Sequence, residues 1–361
     1  MTQAARQALR ERLGTRWPLI QAPMAGVQGH ALAAAVARAG GLGSLPAAML
    51  SPSALRDELA ALTAAIGAPG DPRRLPFNVN FFCHVPPVAD DAREQRWRQR
   101  LAPYYARFGL DPSSIAAGTG RDPFSSELAD LLEPWRPRVV SFHFGLPEPA
   151  LLARVKSWGS VVLSSATTVD EARWLEARGV DAVIAQGLEA GGHRGHFLDD
   201  DLSLQQGTFA LVRRVVEAVR IPVIAAGGIA DAPGIAAALA LGAAGVQVGT
   251  AWLLCDEATT GPLHRRALAG AGAAHTALTN VFSGRPARGI VNRLMRECGP
   301  QCADAPAFPL AGTALAPLRA AAEARGLDDF TPLWAGQNTR GCRALAAGEL
   351  ARDLVRGFDR I

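Results

Sequence analysis

Lysine is the scarcest charged residue in this chain of 361 residues, since Lys156 is the only one among 37 basic side chains. No glycine-rich segment ends in a lysine, which excludes a GxxxxGK phosphate-binding loop. The same shortage argues against a catalytic lysine. Arginine therefore carries almost all of the positive charge.

An uninterrupted apolar run long enough to cross a bilayer is also missing. The longest candidate, GIAAALALGAAGVQVGTAWLL (234–254), is broken by glycines and is better interpreted as a helix, a turn and a strand. The first residues, MTQAARQALRERLG, are charged and contain no apolar signal segment. We therefore expect a cytoplasmic protein with no membrane partner.

The chain has little excess charge, with a formal net charge of +4 at pH 7. Its densest basic segment, REQRWRQR (93–100), alternates with polar residues, as the solvent-exposed face of a helix does. We expect no nucleic-acid partner from this segment.

The five cysteines are scattered and odd in number, which favours free thiols in a cytoplasmic protein. Cys298 and Cys302 have no second pair and no histidine at ligand spacing, so we predict no metal site. Cys83 beside His84 leaves a thiol nucleophile open, although adjacency in sequence supports this only weakly.

Eight short apolar runs alternate with helical segments along the chain. Their continuous apolar character is typical of strands buried on both faces of a parallel sheet. The runs are PLIQAPMAG (18–26), GLGSLP (41–46), LPFNVNFF (75–82), VVSFHFG (139–145), SVVLSSAT (160–167), DAVIAQG (181–187), IPVIAAGG (221–228) and GVQVGTAWL (245–253). Eight strand–helix units predict an α/β protein with a (β/α)8 TIM barrel, and a doubly wound sheet is the alternative.

Two parts of the chain exceed a minimal barrel. Residues 83–138 form an insertion after the third predicted strand, and the tail over 256–361 contains further helical segments. We therefore predict a TIM-barrel domain over 1–255 that contains this insertion. The tail is expected to form a helical lobe that packs back on the barrel at the substrate side.

Glycines follow the seventh and eighth predicted strands, where TIM barrels often bind phosphate. Gly227 and Gly228 precede a helix, and Gly249 and Thr250 end the next strand. Glycine lets backbone N–H groups approach an anion closely. Two such ends in adjacent units predict a phosphate site, and the alternative is that the glycines only make tight turns.

Histidines lie at the ends of the fourth and sixth predicted strands. The segment EAGGHRGHF (189–197) places His193 beside two glycines, which could leave space for a flat ring. An imidazole can take a proton from a carbon acid near neutral pH, so we predict that His193 is catalytic and that His143 lines the same cavity. A structural role in holding loop carbonyls is the alternative for His193, and the roles of Arg194 and His196 stay open.

The motifs QAPMAG, LPFNVNFF, SFHFG, AQGLEAGGHRG, IPVIAAGGIAD and GVQVGTAW together resemble those of the nitronate monooxygenases, formerly called 2-nitropropane dioxygenases. The similarity extends from about residue 18 to 340. It implies a TIM barrel with FMN at its mouth. The implied reaction is the oxidation of alkyl nitronates, such as propionate 3-nitronate, by O2 to a carbonyl compound and nitrite.

The resemblance also implies roles for individual residues. His193 would be the catalytic base or an orienting residue, and His143 would face the substrate. The implied cofactor-binding residues are Ala22, Pro23, Met24, Asn80, Gln186, Gly191, Gly192, Gly227, Gly228, Gln247, Val248, Gly249 and Thr250. The segment LWAGQ (333–337) resembles the family's C-terminal element near the flavin. Because lysine is absent from these motifs, Arg288 and Arg340 are candidates for a cationic contact with the substrate.

Two other functions remain open on the same residues. An NAD(P)H-dependent quinone or enoyl reductase can use the same FMN barrel, and a barrel without cofactor could serve as a binding or scaffold protein. For the oxidising enzyme, the expected partners are a small nitronate and O2. The protein would be a monomer or a homodimer.

Overall fold

Eight parallel strands, each drawn from one predicted apolar run, form the centre of the fold. The computed structural model describes residues 3–67, 76–112, 115 and 121–360, so Leu75 and part of the predicted insertion lie outside the described residues. The barrel strands are β1 (Leu19–Gln21), β2 (Gly43–Pro46), β3 (Phe77–Phe82), β4 (Val139–His143), β5 (Val161–Ala166), β6 (Ala182–Gln186), β8 (Val223–Ala226) and β9 (Gly245–Val248). Almost every residue of these strands is buried, which explains their continuous apolar character.

The strands pair in the order β1-β9-β8-β6-β5-β4-β3-β2, and every pairing is parallel. A parallel bridge between Ile20 and Leu42 joins the two ends of this order and closes the barrel. The backbone amide of Leu42 donates to Leu19, and that of Gln21 donates to Leu42. The predicted (β/α)8 barrel is thereby confirmed, and the doubly wound sheet is excluded.

The helices around the barrel begin at residues that cap their free N–H groups. Thr168 accepts from the backbone of Glu171 while the Glu171 side chain accepts from Thr168, and Asp231 accepts from Gly234. The helices of the barrel are α1 (Gln3–Leu13), α2 (His30–Arg38), α3 (Pro52–Ile66), α5 (Ser126–Leu132), α6 (Pro149–Ser157), α7 (Val169–Ala177), α8 (Thr208–Ala218), α9 (Ala232–Ala240) and α13 (Ala347–Val355).

A second hydrophobic core joins the insertion to the tail. Its helices are α4 (Asp91–Phe108) from the insertion and α11 (Arg293–Glu297) and α12 (Ala311–Ala324) from the tail. Helix α10 (Pro262–Ala269) comes before α11 in the tail. Trp97 and Tyr105 of α4 are buried against α12, where they donate to the carbonyl oxygens of Ala311 (3.1 Å) and Ala314 (2.6 Å). This helical lobe is therefore built from two separate stretches of the chain.

The tail contributes to the barrel as well as to the lobe. Helix α13 packs on α2 and α9. Its Leu350 and Leu354 belong to the main core, the large hydrophobic cluster formed by the barrel strands and the helices around them. The division of the chain at residue 255 stays a prediction, and we propose that α13 is best grouped with the barrel helices because it shares their core.

A small antiparallel sheet ties the tail to the loop after β6. It consists of β10 (Thr276–Thr279), β11 (Ala287–Ile290) and β7 (Gly192–His193), in the order β10-β11-β7. In this sheet Ala287 lies opposite His193. The predicted catalytic histidine is thus held between a barrel loop and the tail.

None of the helices in the described ranges combines the length and the apolar character needed to span a membrane.

The close packing of α2 on β2 depends on the absence of a side chain at Gly43. A Cβ atom there would lie 1.9 Å from the carbonyl oxygen of Ala33, which is a backbone atom and cannot rotate away. Replacement of Gly43 by Ala should lower the free energy of unfolding by about 1–3 kcal/mol or more, as overpacking of a core does. Denaturant unfolding followed by circular dichroism measures this change.

The matched control for Gly43→Ala is Gly348→Ala, since Gly348 lies in α13 and a Cβ atom there would meet open space. Alanine there should leave stability unchanged or raise it by up to about 1 kcal/mol. Equal stability of the two variants would contradict the described packing of α2 on β2.

Candidate active site

A cavity opens at the carboxyl ends of the barrel strands, where TIM barrels carry their active sites. All predicted site residues except Val248 line it, namely Ala22, Pro23, Met24, Asn80, His143, Gln186, Gly191, Gly192, His193, Gly227, Gly228, Gln247, Gly249 and Thr250. The Val248 side chain is fully buried in the main core instead. Its carbonyl oxygen accepts from the backbone of Ala22 (2.8 Å) and from the Trp252 indole (2.9 Å), so Val248 shapes the cavity wall only through its backbone.

Free backbone amides gather at one end of this cavity. The amides of Gly228, Gly249 and Thr250 have no acceptor among the residues that the structure describes. Gly228 has φ +69°, a left-handed conformation that glycine adopts without strain. Because unpaired backbone N–H groups form an anion-binding concavity, this end of the cavity suits a phosphate group.

The tail closes over the same end. Asn338 donates to the Gly228 carbonyl oxygen (2.9 Å), and the Gly336 amide donates to Thr250 Oγ1 (2.9 Å). A Cβ on Gly191 would lie 2.5 Å from the Gly336 nitrogen, so the two chain segments touch through backbone atoms. These contacts explain why LWAGQ in the tail accompanies the glycine motifs in sequence.

His193 lies at the aromatic end of the cavity. Its Nε2 is 2.8 Å from Ser283 Oγ, and its ring centre is 5.2 Å from that of Phe308 and 5.6 Å from that of Trp334. Burial, followed by the nearby positive charge of Arg121, lowers the pKa of His193 well below its usual value. The imidazole is therefore neutral at physiological pH.

Two side chains fix the backbone that carries His193. The Gln186 side chain donates through Nε2 to the His193 carbonyl oxygen (3.0 Å), and its Oε1 accepts from the Gly195 backbone amide (2.8 Å). Arg194 is fully buried and donates to the carbonyl oxygens of Gln186 (2.7 Å) and Gly187 (2.7 Å) and to Gln205 Oε1 (2.8 Å). Arg194 does not line the cavity, so its part is to hold the loop.

His143 supports the same loop from β4. Its Nε2 lies 3.2 Å from the His193 carbonyl oxygen, and its Nδ1 lies 3.0 Å from Ser165 Oγ. Since a carbonyl oxygen only accepts, Nε2 carries the proton and Nδ1 accepts from the Ser165 hydroxyl. Burial is the main cause that lowers the pKa of His143 to about 3.

The structure separates the remaining candidate residues from the cavity. His196 is buried with its Nε2 3.3 Å from Asp200, Arg288 donates to the Leu188 carbonyl oxygen (2.8 Å), and Arg340 is exposed. None of the three lines the cavity. The cavity lining therefore gives no support to a substrate contact by Arg288 or Arg340.

The predictions about thiols and metals can also be compared with the structure. Burial raises the pKa of the Cys83 thiol far above its usual value and disfavours the reactive thiolate, which argues against a Cys83 nucleophile. Within the described ranges, no group of three or more His, Cys, Asp or Glu side chains could hold a metal ion.

Several cavity residues carry no motif that reveals them in the sequence. Phe82, Ser141 and Ser165 line the cavity from predicted strands, and only their positions within those strands could have indicated this. Arg121 and Trp334 reach it from the insertion and the tail. Trp334 lies within LWAGQ, whereas no local signal distinguishes Arg121 from the other arginines.

Comparison with known proteins decides the family. The family model for nitronate monooxygenase matches residues 6–357, which is nearly the whole chain. The chain belongs to the nitronate monooxygenase family. A nitronate monooxygenase of Paraburkholderia phytofirmans is 44% identical over 98% of this chain and 95% of its own length. The predicted reaction class, flavin-dependent oxidation of nitronates, is confirmed by this membership.

Solved structures agree with this assignment. The nitroalkane oxidase of Streptomyces ansochromogenes is 41% identical and superposes with a TM-score of 0.86, covering 98% of each chain. FabK of Thermotoga maritima is 26% identical with a TM-score of 0.69, covering 98% of this chain and 96% of its own. The nitronate monooxygenase fold thus extends over the barrel, the lobe and the tail together.

The buried Arg194 should contribute strongly to the stability of this protein. Replacement of Arg194 by Met removes the donors of Gln186 O and Gln205 Oε1, whereas Gly187 O keeps the Ala190 amide (3.1 Å). Each buried acceptor left without a donor costs about 1–3 kcal/mol. We expect the free energy of unfolding to fall by at least about 2 kcal/mol. The control is Arg173→Met on the exposed face of α7, which should change it by less than about 0.5 kcal/mol. A loss below about 1 kcal/mol for Arg194→Met would contradict the described network.

His143 should stay neutral across the physiological range. Its folded pKa of about 3 lies below the usual value of about 6.5, so the unfolded chain binds the proton first. Its contribution to stability is therefore complete above about pH 6.5 and is lost as the pH falls towards 3. Nitrogen NMR of the imidazole should show a neutral ring protonated on Nε2 at pH 5. An imidazolium signal at that pH would show that the ring is solvated.

Proposed function

We propose that the cofactor is FMN, that the oxidant is O2 and that the substrate is a small alkyl nitronate such as propionate 3-nitronate. The observation that carries this proposal is the single cavity surface that combines an anion-binding end with an aromatic, histidine-bearing end. A mononucleotide flavin has one phosphate and one flat ring system, which match these two ends. The proposed products are a carbonyl compound and nitrite.

The residues present fit FMN on two counts. The free amides of Gly228, Gly249 and Thr250 would hold the phosphate, as backbone N–H groups do in other barrels. Gln247 Oε1 is buried at the cavity wall without a hydrogen-bond partner among the described residues. Because a buried unpaired acceptor is costly, Gln247 is suited to receive an N–H of the flavin ring system.

When bound, FMN would supply the electron transfer between the nitronate and O2, and the protein would provide position and proton control. Ala22, Pro23 and Met24 line the cavity and would pack on the ring system. Phe308 and Trp334 flank His193, and these apolar rings would limit the access of water to the substrate end.

His193 would act on the proton of a neutral nitroalkane. The Ser283 hydroxyl donates to the Arg285 carbonyl oxygen (3.3 Å) and so accepts from His193 Nε2. This arrangement leaves the lone pair on Nδ1, which has no partner among the described residues. A neutral imidazole in this tautomer would take the proton from the carbon next to the nitro group and so form the nitronate within the site.

The NAD(P)H-dependent reductase is the second candidate. The likeness to FabK covers 98% of this chain at 26% identity, well below the 41% identity of the nitroalkane oxidase. We therefore propose nitronate oxidation as the activity. We further propose a cytoplasmic location, because the sequence contains neither a long apolar run nor an apolar signal segment. We assign no partner beyond the substrate and O2.

The assay that tests the proposed function uses the purified, flavin-loaded protein. Oxygen uptake and nitrite release should occur with propionate 3-nitronate, while anaerobic NADH should leave the flavin spectrum nearly unchanged. Rapid bleaching of the flavin by NADH, without oxygen uptake on nitronate, would favour the reductase instead.

The role of His193 is tested by His193→Asn. Turnover of neutral nitroethane should fall by about 10²-fold, because proton abstraction is lost, while the flavin stays bound and preformed ethyl nitronate is affected less. His275→Asn is the control, since His275 is exposed and lies outside the cavity. Equal losses with nitroethane and ethyl nitronate would remove the base role from His193.

A further inference from the structure

Arg121 is an arginine of the cavity that neither the sequence motifs nor the proposed mechanism uses. It lines the cavity, and its guanidinium carbon lies 5.6 Å from the centre of the Phe308 ring. That ring is in turn 5.2 Å from the ring of His193. Arg121 therefore lies at the histidine end, where the substrate is expected.

The cavity offers this cation no protein anion. The lining contains neither Asp nor Glu among the described residues, and no ion pair joins Arg121 to a described carboxylate. The contrast is Arg319, which also lines the cavity but forms an ion pair with Glu323 (2.7 Å). Arg121 is thus a half-buried positive charge whose guanidinium N–H groups are available to a ligand.

A half-buried guanidinium without a partner is costly, and a bound anion removes that cost. The substrate of the proposed reaction is an anion, and its charge is spread over two oxygen atoms in one plane. Two coplanar oxygens match the planar N–H fork of arginine, which a lysine could not offer. Electrostatics therefore favour the nitronate over the neutral nitroalkane at this end.

We propose that Arg121 is the substrate anchor of this enzyme and binds the paired oxygens of an anionic substrate at the histidine end of the cavity. This inference rests on the proposed function and adds the residue that selects the charge of the substrate. The oxygens belong either to the nitronate group itself or to a carboxylate on the same molecule. Both sources present the same planar pair, and the experiment distinguishes them.

The experiment compares flavin-loaded wild type with Arg121→Met, Arg121→Lys and Arg56→Met. Arg56 is an exposed residue of α3 and outside the cavity, so its substitution is the matched control. Oxygen uptake is measured with ethyl nitronate, which has one anionic group, with propionate 3-nitronate, which has two, and with neutral nitroethane. The dissociation constant of nitrite, a planar anion with two oxygens, is obtained separately from the flavin spectrum.

For Arg121→Met we expect the KM for propionate 3-nitronate to rise at least about tenfold, the range expected for loss of a hydrogen bond to a charged group. Flavin content should stay close to that of Arg56→Met. The KM for neutral nitroethane should change much less than that for propionate 3-nitronate, whereas its turnover can shift because Arg121 lowers the pKa of His193. A similar rise with ethyl nitronate shows that Arg121 binds the nitronate oxygens. A rise confined to propionate 3-nitronate shows that it binds the carboxylate.

Unchanged KM values for both nitronates in Arg121→Met, with an active wild type, overturn the inference. An inactive wild type sinks the proposed function instead, and the nitrite dissociation constant then decides the anion site by itself. If Arg121 only shifted the pKa of His193, Arg121→Met would leave the dissociation constant of nitrite unchanged. That result would overturn the inference. If Arg121→Met does not retain flavin, Arg121→Lys decides the question, because lysine keeps the positive charge but lacks the planar N–H fork. Arg121→Lys should weaken nitronate binding several-fold. Wild-type affinity for the nitronate in Arg121→Lys overturns the inference.

Discussion

The site depends on how the loop after β6 is held, and two side chains hold it by satisfying backbone groups. Arg194 places three donors on the Gln186 and Gly187 carbonyl oxygens and on Gln205, deep inside the protein. Gln186 then bridges the His193 carbonyl oxygen and the Gly195 amide. Because these bonds are buried, releasing any one of them leaves an unpaired polar group, so the His193 backbone has one stable position.

The histidines of the site stay neutral for a related reason. Burial among aromatic rings disfavours the imidazolium, and the arginines around the cavity add positive charge that opposes a further proton. The same surroundings that lower the pKa of His143 and His193 leave the cavity positively charged at Arg121. A neutral base and an anion-binding cation can therefore lie side by side in one small space.

The barrel, the glycine ends and the position of His193 could be predicted because each depends on local sequence. Buried parallel strands have continuous apolar runs, and strand order in a barrel follows chain order. A helical lobe in the tail was expected, but the place of Arg121 and the joining of the insertion to the tail in one core could not be predicted, because they depend on packing between segments some two hundred residues apart. The role of Arg194 was left open because its acceptors become neighbours only when the loop folds back on β6. The prediction that Val248 lines the site was wrong for its side chain, which faces the core while its neighbours in the motif face the cavity.

The most direct measurement of the central claim is a crystal structure of the flavin-loaded protein. The account predicts the phosphate on the amides of Gly228, Gly249 and Thr250, a flavin N–H on Gln247 Oε1, and the His193 ring over the flavin with Nδ1 directed into the remaining space. A phosphate bound elsewhere, or a His193 ring turned out of the cavity while the Arg194 bonds are intact, would contradict it.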